Sequence, residues 1–534
     1  MIKNHISDDE LKTVSDDIFG TVFGMKNPIS IDSLKNRFNS LDDRCDNELF
    51  NLIDGPFTHG VDKLDIYIEY KRMESQGYNY LYLSNLIQKY GTDGDYSNII
   101  LPSIIDIPDK KFKSGSDLLY NNKESYVGQI ILLSHPEDCE NIAKRHIQKQ
   151  PNFTPLLMDS IISSTNNEHW RKQRDHYTHV FLPNASLKKI ITTTQERAIY
   201  AIHNLKDNIK DNISINICEF LLHEANAQLN LSMFGSNKMY TEDNNRLIRR
   251  AMKGNANSGE LKNYIDNLTD VLENSNDLNN TSETNSEKVH GPLGRAISDH
   301  NVDTITKYGN SLIFSFAGHD TTGHSMTFFC LEMAKNPKYQ DTICNEIDNY
   351  FKNNSMITYE GLENFPFLSR CWTEILRLWP AIPNGTFRQL QYDDYITGKD
   401  GEDVKLKKGT YVQITNWARH RSKELWGDDA NIFNPYRDYN DREIWGNNYK
   451  GYNPHSERFS PFTYPPRDCI GKNFAHMEAR IILIYLFRNF NFKLPDGLEG
   501  YNWEDYKCIN KGTLSPIDLV TGEMGLNLII TKRN

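Results

Sequence analysis

The feature that most constrains this chain is a long stretch, Val302 to Lys335, that is apolar on nearly every face of the helix it would form. Ile305, Leu312, Ile313, Phe316, Met326, Phe328, Phe329 and Leu331 leave no broad polar face for water, so such a helix has to be buried in a larger body. A chain of 534 residues can supply that body, as one large domain or several smaller ones. The middle of the stretch breaks the pattern. Ala317-Gly-His-Asp-Thr-Thr322 puts a glycine and four polar side chains there, at a cost in helix propensity and in desolvation. Hydroxyls that bond carbonyls of the preceding turn can bend a helix and open a groove beside it. A kink of purely structural origin would look the same, but an acid beside an alcohol in a buried helix is costly unless it is used.

A second segment, Phe462-Thr-Tyr-Pro-Pro-Arg-Asp-Cys-Ile-Gly471, sets Cys469 in a tight loop just before an apolar helical run from Lys472 to Phe492. Free amides and the helix dipole at that terminus favour a thiolate, which would make a permanent metal ligand. Read from the residues alone, a buried free cysteine fits equally well. Two further helical segments carry paired groups. In Glu374-Ile-Leu-Arg377 the acid and the base are three apart and share one face, and in Trp170-Arg-Lys-Gln-Arg174 the tryptophan and the second arginine do so at a spacing of four.

Composition excludes some classes. Net charge is −11 with few basic runs, which argues against a nucleic-acid partner. Eight scattered cysteines with no CxxC pair argue against a zinc site or a disulfide scaffold, and for a reducing compartment. Asp8, Asp9, Glu10 and Asp16 interrupt any apolar run near the start, so neither a signal peptide nor a transmembrane anchor is expected there. A soluble, cytoplasmic protein, or one peripheral to a membrane, is the expectation. Asn79–Tyr90, Leu187–Leu205 and Asn216–Phe234 read as helices, and Gly128–Pro136 as a strand, a turn and a helix start. Residues 272–286 read as a mobile polar loop.

The four segments, in this order and at these separations, resemble the cytochrome P450 family of haem-thiolate monooxygenases, from roughly Lys71 to Asn534 and most strongly after Asn301. The resemblance implies a mainly α fold with small β-sheets (α+β), with haem between the central helix and the cysteine loop. Residues 71–534 would form the haem domain and residues 1–70 an extension of unknown role. It implies heme b (iron protoporphyrin IX) with Cys469 as the iron ligand, and O2 as co-substrate. Trp170, Arg174, Arg388 and Arg467 would meet the haem propionates, while Phe462 shields the sulfur and Gly318 lies at the cofactor. Asp320 would relay protons and Thr321 hold a hydrogen-bonded water. Glu374, Arg377 and Arg437, the last from Phe433-Asn-Pro-Tyr-Arg437, would form a structural triad. Phe153, Met158, Ile162, Phe316, Ala317, Ile382 and Leu514 would line a pocket for a small hydrophobic substrate, under short covering helices between Gly235 and Val302.

Electrons would come from a separate reductase or ferredoxin, with NAD(P)H used only indirectly, since the chain carries no GxGxxG segment. Arg171, Lys172, Arg458 and Lys472 could dock such a partner or could simply be solvated. A haem-thiolate isomerase or peroxygenase, or a non-catalytic haem-binding protein, is the alternative. The cysteine loop departs from the family pattern: Thr463 and Pro465 stand where glycines are usual, so the loop must turn differently around Tyr464.

Overall fold

The structure is a computed structural model. It describes residues 49–107, 124–150, 157–235, 291–440, 456–498 and 508–533, less positions 93, 158, 211, 511, 519 and 520, together with residues 243, 247, 263, 264, 443 and 444. The expected polar loop 272–286 and the pocket residues Phe153 and Met158 lie outside the described residues, as does most of the 1–70 extension and of the stretch expected to cover the substrate.

Helices α1 (Lys63–Ser75) and α2 (Asn79–Tyr90) precede a long antiparallel pair, β1 (Ile99–Ile107) and β2 (Glu124–Leu133). Then come α3 (Pro136–Arg145), α4 (Asn167–Thr178), α5 (Lys188–Asn208), β3 (Ile213–Asn216), α6 (Ile217–Gln228) and α7 (Pro292–Ser298). The centre is α8 (Thr304–Lys335), followed by α9 (Pro337–Phe351) and α10 (Pro366–Leu378). Four short strands follow, β4 (Thr386–Gln389), β5 (Asp394–Thr397), β6 (Asp403–Leu406) and β7 (Tyr411–Ile414). After α11 (Lys472–Asn489) come β8 (Phe490–Lys493), β9 (Cys508–Asn510), β10 (Leu514–Pro516) and β11 (Asn527–Lys532). The result is the expected mainly α arrangement with small sheets. No described helix is long and apolar enough to cross a membrane.

The helices begin and end where their chemistry dictates. Asp303 caps α8 by accepting from the Thr306 amide, and Pro337 cannot continue the helix beyond Asn336. Along α8 the polar side chains are satisfied by the helix itself. Thr321 and Thr327 donate to the carbonyls of Ala317 (3.0 Å) and Gly323 (2.8 Å), while Nδ1 of His319 and of His324 lies 2.6 and 2.9 Å from the carbonyls of Ser315 and Asp320. This is how a helix buried almost throughout tolerates its polar insert. Ile305, expected among the buried flank, is instead 44 % exposed at the first turn.

Two glycines let α6 and the turn that follows it, Leu229–Phe234, lie close against α8. A side chain at Gly318 would start 2.8 Å from the methyls of Leu229, and one at Gly323 would start 2.7 Å from a methyl of Leu222. The main sheet has the order β1-β2-β7-β4, with β2 and β7 parallel (Ile130 opposite Tyr411) and β4 antiparallel to β7. Its edge strand β4 carries Arg388, paired opposite Val412. A second sheet, β3-β11-β8, joins residues 213–216 to the end of the chain. Residues 49–70, placed within an appendage by sequence, pack into the body: Leu49 and Ile53 are core residues, and the Ile100 amide donates to the Asp54 carbonyl (2.8 Å).

Candidate active site

Cys469 is exposed, while Arg467 and Asp468 beside it are buried. Its amide donates to the Phe462 carbonyl (3.0 Å), which closes the loop, and Phe462 itself is half-buried. Thr463 takes the left-handed conformation at φ 57°, so it adopts the backbone shape that glycine normally provides. The chain then turns through a cis Pro465–Pro466 bond. Tyr464 between them is fully buried and donates its hydroxyl to the carbonyls of Ser456 (3.1 Å) and Glu457 (3.0 Å). The helix terminus does not by itself hold a thiolate. Although Cys469 keeps an exposed surface, the protein packed around it desolvates the sulfur and pushes the thiol up, and the Gly471 amide, Arg174 and Lys472 offset that only in part. A bound cation on the sulfur would remove the imbalance.

The loop reaches α8 through Phe181. Asn473 Nδ2 donates to the Phe181 carbonyl (3.3 Å), and the Phe181 ring lies 5.7 Å from that of Phe314. One turn further on, Ala317 is exposed and Thr321 half-buried, in a helix that is otherwise buried over that length. The side-chain position of Gly318 faces Leu229, so the missing side chain makes room for that packing.

Three cations crowd one side of the loop. Arg388 is fully buried; its Nη1 donates to Thr386 Oγ1 (2.8 Å) and to the Phe387 carbonyl (2.9 Å), while Nε and Nη2 have no hydrogen-bond partner among the described residues. Arg467 donates Nη2 to the Ser164 carbonyl (2.7 Å), lies 4.6 Å over the Trp170 ring, and leaves Nε and Nη1 without a hydrogen-bond partner among the described residues. Lys149 is buried and bonds the same Thr386 hydroxyl (2.7 Å). Burial lowers all three, Arg388 to about 10 and Arg467 to about 9, and repulsion from Arg388 acts on both of the others. Buried donors without acceptors are costly. A ligand with two carboxylates fits the group, and haem is such a ligand, with Cys469 two residues from Arg467 to take its metal.

Lys149 was missed in the sequence, since nothing local distinguishes it from a surface lysine. Arg174 is committed elsewhere. Its Nη1 and Nη2 donate to the Asp468 carbonyl and carboxylate (both 2.7 Å), so it braces the cysteine loop instead of joining the cation group. Of the four expected docking cations, Lys172 pairs with Glu168, Arg458 with Glu443 and Lys472 with Asp468, while Arg171 is exposed.

Glu374, Arg377 and Arg437 come together in full burial. Arg377 holds Glu374 with two bonds of 2.8 Å and donates Nη1 to the carbonyls of His420 and Ala430 (both 2.7 Å). Arg437 Nε reaches Glu374 at 3.2 Å, its Nη1 reaches Asp429 at 2.7 Å, and Tyr439 donates to the same Glu374 carboxylate. The group ties α10 to the segment leading into the cysteine loop. Of the expected pocket residues, Ala317 and Ile162 are exposed and Ile382 is half-buried, whereas Phe316 and Leu514 are buried in the core. Asp320 is buried, and its carboxylate is bonded by Thr513 and flanked by His324.

Comparison with known proteins agrees with this arrangement. Residues 303–501 match the family model described as Cytochrome P450. The chain is 35 % identical over 181 residues to a cytokinin hydroxylase of Arabidopsis thaliana, covering 34 % of this chain and 32 % of that protein. It is 31 % identical over 204 residues to cytochrome P450 3A12 of Canis lupus familiaris (37 % and 36 %), and 32 % identical over 183 residues to cytochrome P450 4A6 of Oryctolagus cuniculus (34 % and 32 %). The matched part spans about a third of the length of these relatives. Over residues 303–501, which hold the buried Glu374–Arg377–Arg437 group and the Cys469 loop, this chain is similar to the cytochrome P450 family.

Proposed function

We propose that the protein is a haem-thiolate monooxygenase that inserts one oxygen atom from O2 into a hydrophobic small molecule, with electrons delivered by a separate redox partner. The observation that carries this reading is the group of buried cations, Lys149, Arg388 and Arg467, whose Arg388 Nε and Nη2 and Arg467 Nε and Nη1 have no hydrogen-bond partner among the described residues, beside an exposed cysteine. Haem bound through Cys469 would supply dioxygen activation. Arg388 Nε and Nη2 and Arg467 Nε and Nη1 would take its carboxylates, with Lys149 adding charge and the Trp170 ring backing Arg467.

On α8, Ala317 would leave room for the reacting molecule and Thr321 would present its hydroxyl to it. Asp320, the next acid along the helix, would return protons to that hydroxyl by way of water. Ile162 and Ile382 would exclude bulk water from the same space.

The test is haem reconstitution followed by the spectrum of the reduced protein with carbon monoxide. Wild type should give a strongly red-shifted Soret band, and Cys469→Ser should lose it; the same band in the mutant would refute Cys469 as the ligand. Product formation from a panel of hydrophobic substrates with a surrogate reductase then separates oxygen insertion from haem binding alone.

A further inference from the structure

Asp320 is not left free to serve Thr321. The Thr513 hydroxyl, on the β9–β10 hairpin, donates to the Asp320 carboxylate. His324, one turn along α8, lies on the same group: its Nδ1 is 2.9 Å from the Asp320 main-chain carbonyl, 3.1 Å from Thr513 Oγ1 and 3.6 Å from the second carboxylate oxygen of Asp320. Its Nε2 is 3.0 Å from Ser515 Oγ. Both ring nitrogens therefore face oxygen atoms, the arrangement that suits a doubly protonated imidazole. Cys218 of α6 packs against the same ring, and His319 adds a weaker positive influence on Asp320. All of Asp320, His324, Thr513, Ser515 and Cys218 are buried, so bulk water does not screen the pair.

We propose that His324 is a positioning residue for the proton relay: its imidazolium, with Thr513, holds the Asp320 carboxylate ionised and turned onto the C-terminal hairpin, so that breaking this contact gates delivery to Thr321. The inference rests on the reading of Asp320 as the relay acid. It follows that a neutral residue at position 324 leaves Asp320 buried with no cation to hold it ionised, which raises its affinity for a proton. The electrostatics agree: burial opposes charge on both groups, but attraction wins, holding Asp320 below the usual carboxylate range and raising His324 to about 10.

The experiment uses the full haem-loaded chain as wild type, Asp320→Asn, His324→Gln and Thr513→Val, each first checked for its reduced-CO spectrum. Coupling of electron uptake to product is measured from about pH 6 to about pH 9, and His324 protonation is followed by NMR of carbon-labelled histidine in the diamagnetic CO form. Wild-type coupling should be flat over that range. His324→Gln should introduce a titration within it, and Asp320→Asn should drop the His324 midpoint by at least about 2 pH units. If His324→Gln does not fold, Thr513→Val should still lower coupling with an altered pH profile. Flat coupling in His324→Gln together with an unmoved His324 midpoint in Asp320→Asn overturns the proposal. Wild-type coupling in Asp320→Asn would instead remove Asp320 from the relay, which is a failure of the underlying reading and not of the ion pair.

Discussion

Replacing Arg388 with methionine should move the apoprotein and the haem-loaded protein in opposite directions. In the metal-free chain the guanidinium is fully buried, two of its nitrogens lack acceptors among the described residues, and Lys149 and Arg467 repel it. Each unmet buried donor costs about 1–3 kcal/mol, and the two bonds made by Nη1 return about 1 kcal/mol each. Methionine fills a similar volume without polar atoms, so the apoprotein should gain on the order of 1–4 kcal/mol. With haem bound, the same nitrogens would make charge-assisted bonds worth roughly 1.5–3 kcal/mol each, and losing two of them corresponds to a fall in haem affinity of about 10²- to 10³-fold after relaxation. Urea midpoints of the apoprotein and competitive haem transfer to a second apoprotein read the two effects separately. An apoprotein made less stable, with haem affinity unchanged, would show that Arg388 is a structural residue with partners of its own and would refute the reasoning.

Other outcomes are expected. Glu374→Ala should cost about 3–5 kcal/mol, because it leaves Arg377 and Arg437 buried against one another, and should appear as loss of the folded haem protein at lower urea. Thr463→Gly removes a β-branched side chain from the left-handed region, a relief of about 1–2 kcal/mol, partly offset by glycine's extra chain freedom of roughly 0.5–1 kcal/mol. A modest rise in the urea midpoint with an unchanged reduced-CO band is the expected result, and a fall would mean that the threonine side chain is needed. The pH dependence of stability should carry the mark of His324. Its folded pKa of about 10 exceeds the ordinary 6.5, so its contribution is complete below about 6.5 and is lost as pH rises through about 10. His324→Gln should flatten unfolding free energy over that window, and an unchanged slope would show that the histidine is neutral in the fold.

The elements that depend on local pattern were legible. The apolar flanks of 302–335 announced a buried helix, found as α8 at Thr304–Lys335, and Asn79–Tyr90 is a helix of those bounds. The Glu374–Arg377 pair followed from helical spacing alone, whereas Arg437, from a distant segment, was reached through the resemblance. What escaped depends on tertiary placement. Lys149 has no local signature, because its role arises from the distant strand β4, which brings Thr386 and Arg388 to it. The packing of Leu229 against Gly318 escaped because a sequence does not say which helix face a missing side chain would meet. Arg174 forks onto Asp468 beside the cysteine, a tertiary contact that helical spacing over 170–174 does not announce. Thr463 shows that a loop can keep its shape after losing a glycine when the replacement accepts the same dihedral at a cost.

The β9–β10 hairpin has one more consequence, for the order in which the molecule assembles. Besides holding Asp320, it accepts the Tyr80 hydroxyl at the Cys508 carbonyl (2.7 Å), across 428 positions of sequence, and its Asn510 amide donates to Gly77 (2.8 Å). Its Leu514 amide also donates to Ala381 (2.9 Å). Contacts this remote in sequence form only after the polypeptide between them has been made, and closing such a loop is entropically slow. During synthesis the central helix therefore spends its time without the strand pair that steadies its acid. Acquisition of a competent relay should therefore await the synthesis and docking of this hairpin.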